Sequence, residues 1–87
     1  MSYQVTYTKQ ALKQLKKLDA FTCSTILYWI DKNLVNTANP RQHGKGLTAN
    51  RSGEWRYRVG NYRILAHIKE DEIVIEVFAV GHRREIY

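Results

Sequence analysis

The chain reads as an α+β domain: a short N-terminal strand, a two-helix hairpin, then a three-stranded antiparallel meander packed on the helices. Three observations predict this. Apolar residues recur at helical spacing between Ala11 and Leu34. From Trp55 to Val80 the pattern changes to the alternation of strands with one buried face. Between two of these runs, Gly60-Asn61 has the composition of a tight two-residue turn. At 87 residues the chain has material for one core and not for two, so residues 1–87 are expected to form one domain.

Tyr3 to Tyr7 alternates weakly and predicts the first strand. Thr8 then caps a helix whose apolar positions are Ala11, Leu12, Leu15 and Leu18. Its other side carries Lys9, Lys13, Lys16 and Lys17, which serve either as a solvated face or as a row tracking a nucleic-acid backbone. Asp19 caps a longer second helix with Cys23, Ile26, Leu27, Ile30 and Leu34 as its buried stripe, ended by Asn39-Pro40. Cys23 on that stripe reads as a small core residue rather than a nucleophile. Pro40 and the glycines at 44, 46 and 53 mark a basic loop holding Arg41, Lys45 and Arg51.

The stretch GEWRYRVGNYR, residues 53–63, is the most informative part of the chain. A turn at Gly60-Asn61 sets Val59 opposite Tyr62 and therefore Arg58 opposite Arg63. Trp55, Tyr57, Val59, Tyr62, Ile64 and Ala66 then share one face, and Glu54, Arg56, Arg58, Arg63, Leu65 and His67 share the other. Like charges directly opposite on a sheet destabilise it by roughly 0.2–1 kcal/mol, so folding alone gives no reason for this arrangement. A site for an anion does. Lys69-Glu70-Asp71-Glu72 reads as a charged turn and Ile73 to Val80 as the last strand. Pairing Ile68 with Ile73 extends the apolar face and sets Leu65 beside Glu76, where the carboxylate either orients Arg63 or relieves the arginine cluster. His67 shares the cationic face with Glu54, and structural hydrogen bonding is the expected use of that pair.

Fourteen Lys and Arg against eight Asp and Glu leave a net charge of +6, concentrated between Arg41 and Arg63. A polyanion is the expected partner, nucleic acid first, because neutralising phosphates releases counterions. The single cysteine excludes an internal disulfide, and no signal-like or membrane-spanning apolar stretch is seen, so a reducing cytoplasm is the expected location. His43, His67, His82 and Cys23 lack the spacing of a zinc site, no paired acidic motif suggests a two-metal nuclease, and Gly44-Lys45-Gly46 lacks the pattern of a phosphate loop. The reading calls for no metal and no small-molecule cofactor.

The chain closes on VGHRREIY, residues 80–87. This tail, the element order and GEWRYRVGNYRIL together resemble the RelE toxins of the RelE/ParE superfamily over essentially the full length. The resemblance implies a small toxin held inactive by a cognate antitoxin, which enters the ribosomal A site and cleaves messenger RNA without a metal. Arg56 and Arg58 fall where RelE toxins carry active-site lysines. Arg63 matches the arginine after the hairpin tyrosine, and Arg83 and Tyr87 match the arginine and tyrosine of the tail. The same scaffold also serves ParE toxins, which poison DNA gyrase without nuclease chemistry, and a noncatalytic nucleic-acid-binding module is a third reading.

For metal-free cleavage, Arg56, Arg58, Arg63 and Arg83 suit a phosphate clamp, since guanidinium binds phosphate oxygens bidentately and stays charged. Proton transfer is harder to place, because an arginine, with a pKa above about 12, is a poor base. His82 is the expected acid or base, with RNA contact or packing against the sheet as its other use. Tyr87 either stacks on a base or polarises the reacting hydroxyl. Lys9, Lys13, Lys16, Lys17, Arg41, Lys45, Arg51 and Arg84 are the expected RNA contacts.

Overall fold

The computed structural model describes residues 2–46 and 53–85; Arg51 and Tyr87, both singled out from sequence, lie outside the described residues. The elements are β1 (Gln4–Tyr7), α1 (Lys9–Lys16), α2 (Ala20–Asn33), β2 (Lys45–Gly46), β3 (Glu54–Val59), β4 (Tyr62–Lys69) and β5 (Val74–His82). The strands form one mixed sheet in the order β1-β5-β4-β3-β2, with β1 parallel to β5 and the other pairs antiparallel. The fold is α+β, with two helices and one strand beyond the expected set, the two-residue β2.

Both helix starts follow the local chemistry. The Thr8 hydroxyl accepts from Ala11 N at 3.1 Å and the Asp19 carboxylate accepts from Thr22 N at 3.0 Å and from the Thr22 hydroxyl at 2.7 Å, each satisfying donors that a helix N-terminus leaves open. The Thr22 hydrogen bonds hold the Asp19 carboxyl below its ordinary pKa. Helix α2 ends earlier than Pro40 suggests. Leu34 caps it, Asn36 takes a left-handed φ of 65°, and the N-terminal segment captures the backbone beyond, with Asn36 N donating to Tyr3 O and Tyr3 N to Thr37 O. Asparagine tolerates that conformation better than most side chains, which suits Asn36 to the end of the helix.

One sheet face carries the core. Ala11 and Leu15 of α1 and Ile26, Ile30 and Leu34 at the α2 positions pack on Tyr57, Ile64, Ala66, Ile75, Val77 and Val80. Cys23 and Leu18 are half-buried against this cluster, whereas Leu12 and Leu27, expected inside, are 45% and 39% exposed. Two helices of 8 and 14 residues cover the sheet with fewer positions than a full apolar stripe supplies.

The β3–β4 hairpin has the expected register throughout, from Val59↔Tyr62 and Arg58↔Arg63 to Glu54↔His67. Gly60, at φ 59°, supplies the positive dihedral that the turn requires. The β4–β5 register differs. Ile68 pairs with Ile75 rather than Ile73, and Ala66 with Val77. Ile73 is in the turn at φ 56°, and a slip of two residues keeps every side chain on its own face, so alternation could not distinguish the two pairings. A bulge at Phe78 then resets the parity, since Leu65 pairs with Ala79 while Ala66 pairs with Val77. The two-residue slip, not the bulge, sets Glu76 opposite His67 and 3.5 Å from the Lys69 ammonium. It does not sit beside Leu65 to orient Arg63, as the shorter turn implied.

Candidate functional site

The face of β3 and β4 that turns away from the helices carries Arg56, Arg58 and Arg63, and these line a cleft of about 460 Å³ together with Lys45, His43, Gly44 and Trp29. Among the described residues, β2 pairs only with Trp55 and Arg56, leaving the following residues of β3 without a strand neighbour on that side.

The loop between α2 and β2 is fixed to β3 at three points. The buried Tyr57 hydroxyl donates to Pro40 O at 2.6 Å, and Trp55 Nε1 donates to His43 O at 2.6 Å. At the third point Gly44, with φ 80°, runs so close that a Cβ there would fall 2.1 Å from Arg56 O. Glycine at 44 is therefore demanded by close approach, which no phosphate-loop pattern would have revealed. Burial pushes the Tyr57 hydroxyl far above its ordinary pKa, with nearby Arg41 opposing, so the hydroxyl stays a proton donor to Pro40. The loop in turn sets the His43 ring edge-on against Trp29, with centroids 5.7 Å apart and planes at 70°. Trp29 also meets Tyr57 at 5.8 Å, tying α2 to this corner.

Of the arginines expected in the site, Arg56, Arg58 and Arg63 come together with Lys45 from the loop. Arg58 is exposed and Arg63 half-buried, and among the described residues no ion pair forms to either. A backbone hydrogen bond carries the tail to the hairpin tip, where Arg83 N donates to Asn61 O at 2.9 Å. Arg83 is exposed there and does not line the cleft. Arg84 is exposed beyond it, its N–H donating to His82 Nδ1 at 3.2 Å.

His82 is placed elsewhere than the sequence suggested. The Phe78 bulge turns it to the helix side, opposite Tyr62, where the rings meet edge-on at 5.4 Å. It lines a separate hollow with Gln14, Lys17, Leu18 and Glu85. Arg41 is engaged by the Glu70 carboxylate at 2.7 Å and lies over the Trp55 ring at 5.7 Å. Lys9, Lys13, Lys16 and Lys17 are exposed on and just after α1, on the opposite side of the sheet from the arginines. His67, across from Glu54, stacks on Phe78 with centroids 4.6 Å apart.

Sequence reasoning missed His43 and Trp29 as members of the cleft. His43 was weighed only as a zinc ligand, and Trp29 sits on a helix whose apolar stripe ran past it. The signal that could have found them was the proximity of Gly44 to His43, a glycine in a loop short enough to lie against the arginine strand. Among the described residues, the cleft's lining offers no carboxylate, the usual anchor for Mg2+ or Ca2+, and no three His, Cys, Asp or Glu cluster. No helix among them is long and apolar enough to cross a membrane.

Comparison with known proteins agrees with this geometry. Residues 5–87 match the family model described as ParE toxin of type II toxin-antitoxin system, parDE. Toxin RelG of Mycobacterium tuberculosis is 29% identical over 87 residues, covering 100% of this chain and 98% of that one. In the RelBE2 toxin–antitoxin complex of the same organism, a chain 26% identical superposes with a TM-score of 0.84, over 98% of this chain and 95% of that one. An E. coli RelE mutant in the free state shares the fold at a TM-score of 0.79 and 19% identity, covering 99% of this chain and 88% of that one. The chain belongs to the ParE toxin family of type II toxin–antitoxin systems, within the RelE/ParE superfamily.

Proposed function

We propose that this toxin is a ribosome-dependent, metal-independent endoribonuclease that cuts messenger RNA in the ribosomal A site and so halts translation. The observation that carries the reading is the convergence of Arg56, Arg58, Arg63 and Lys45 on one open cleft, with Arg58 and Arg63 directly opposed across the hairpin at a cost to folding. The RelE resemblance of the hairpin and tail supplies the substrate.

In this reading the RNA phosphate enters at the β3 edge and the arginines grip its nonbridging oxygens. The neighbouring 2′-oxygen attacks phosphorus, a bond to O2′ forms, and the bond to O5′ breaks. Guanidinium groups held by two strands stabilise the charge that gathers on the phosphorane, without reorganising as it forms. Arg83 extends the grip from the hairpin tip, Tyr87 acts on the reacting hydroxyl or a base, and Lys9, Lys13, Lys16, Lys17, Arg41, Arg51 and Arg84 contact ribosomal or messenger RNA. The site of action is the cytoplasm. Relatives have been solved with RelB antitoxins, and the partner that restrains this chain is a separate, acidic antitoxin. Poisoning of DNA gyrase is the second reading, favoured by the ParE description of the matching family.

The test adds purified protein, with EDTA, to programmed ribosomes and to the same messenger RNA alone, and maps ends by primer extension. Cuts within A-site codons on ribosomes, and none on free RNA, are expected. Intact RNA in both reactions, with double-strand breaks when gyrase and DNA are supplied, would refute the nuclease reading. Intact RNA with salt-sensitive binding would leave a noncatalytic module.

A further inference from the structure

We infer that His43 is the general base, the group that takes the proton from the attacking 2′-hydroxyl; the assignment rests on reading the cleft as an RNA-cleavage site. Elimination among the lining residues leads there. Lys45 and the three arginines bring ammonium and guanidinium groups, which donate or grip but have no lone pair to accept a proton. Trp29 offers an indole N–H, a donor only, and Gly44 has no side chain. The imidazole alone, of the described side chains lining the cleft, has a ring nitrogen that can accept a proton and later release it.

Placement supports the role. A general base must be held within reach of one proton, and His43 sits in a loop fixed on either side of it. Its own carbonyl accepts from Trp55 Nε1 at 2.6 Å, its ring rests against Trp29, and the next residue packs against Arg56 O. Other basic side chains are less suited. Glu54 and His67 face each other farther along the hairpin, the latter stacked on Phe78, and neither lines the cleft. His82 lies on the opposite face of the sheet. The charged groups around His43 are Lys45 from β2, Arg56 and Arg58 from β3, and Arg63 from β4, while α2 contributes the uncharged Trp29.

The step balances without a co-reactant. The 2′-hydroxyl proton passes to the imidazole, O2′ bonds to phosphorus, and the P–O5′ bond breaks with O5′ taking a proton from solvent. The products are a 2′,3′-cyclic phosphate and a 5′-hydroxyl, and the imidazolium returns its proton to water.

The experiment measures single-turnover cleavage on saturating programmed ribosomes from pH 5.5 to 9 for wild type, His43→Gln and His43→Ala, alongside ribosome binding. General base catalysis contributes about 10²- to 10⁴-fold, so His43→Gln is expected to lose at least about 100-fold in rate. Ribosome affinity is expected to stay within a few-fold, the pH profile of the rate to differ from that of wild type, and added imidazole to restore His43→Ala in part. If wild type cleaves and His43→Gln stays within a few-fold of it, or keeps the wild-type pH profile on a reduced rate with no imidazole rescue, His43 is not the base. Failure of wild type to cleave would overturn the nuclease reading and this assignment with it.

Discussion

Gly44→Ala is a substitution of one methyl group, far in sequence from the arginines, that the structure predicts to damage both stability and the cleft. Gly44 has φ 80°, and the added Cβ would stand 2.1 Å from Arg56 O and 2.9 Å from Trp55 Nε1. The left-handed conformation alone costs an L-residue about 1–2 kcal/mol. The near contact is with backbone in mid-sheet, so the loop must retreat by more than about an ångström to reach ordinary van der Waals distance, which is 3.4 Å or more. That retreat strains or breaks the Trp55–His43 hydrogen bond, a further loss of about 1 kcal/mol. The total is about 2–3 kcal/mol, equivalent to a fall in Tm of about 10–20 °C for a domain of this size. Urea unfolding followed by tryptophan fluorescence measures the stability, and single-turnover cleavage at 15 °C, where the variant stays folded, measures the site. Cleavage should fall at least tenfold in folded protein because His43 and Lys45 move with the loop. A Tm within 2 °C of wild type together with an unchanged rate would refute the close approach and the importance of the loop.

Other consequences concern the hairpin and the core. Arg58→Ala and Arg63→Ala each remove one member of a like-charged cross-strand pair, so either is expected to leave stability unchanged or raise it by up to about 1 kcal/mol, while cleavage falls about 100-fold or more; urea melts and cleavage assays check both, and destabilisation with normal activity would reverse the interpretation. Tyr57→Phe strands the Pro40 carbonyl and should cost about 1–3 kcal/mol at pH 7. Because burial raises the Tyr57 pKa in the folded state, its contribution is complete below about pH 10, the unfolded value, and is lost as pH rises beyond it. The stability gap between wild type and Tyr57→Phe should therefore narrow above pH 10 in alkaline urea melts, and a gap that widened there would contradict the buried, protonated phenol.

The elements that local chemistry controls were legible in the sequence. Thr8 and Asp19 announce two helix starts because their side chains satisfy donors one turn away, and Gly60-Asn61 dictates the hairpin register because a two-residue turn leaves no freedom. From that register the shared face of Arg56, Arg58 and Arg63 followed directly. What depended on nonlocal packing did not show. The β4–β5 pairing slips by two residues without moving any side chain to the other face, so the pattern is silent between Ile73 and Ile75 as the partner of Ile68. The extra residue at Phe78 leaves no mark in the alternation of a strand rich in apolar residues, yet it decides that His82 faces the helices. His43 escaped notice for a related reason. Its place in the cleft comes from hydrogen bonds that Tyr57 and Trp55 make to a loop 12 to 17 residues away, and loop residues carry no periodicity from which to infer a direction.

The central claim is that this cleft cleaves RNA through the neighbouring 2′-hydroxyl, with side chains doing what a metal does elsewhere. Programmed ribosomes carrying a messenger with a single 2′-deoxy substitution, at the nucleotide whose 2′-oxygen would attack in the A-site codon, test it most directly when treated with toxin in EDTA. The account predicts cleavage of the all-ribose messenger, with 2′,3′-cyclic phosphate ends, and none at the deoxy linkage. Equal cleavage of the two messengers would contradict it, because the nucleophile would then have to be something other than the 2′-oxygen.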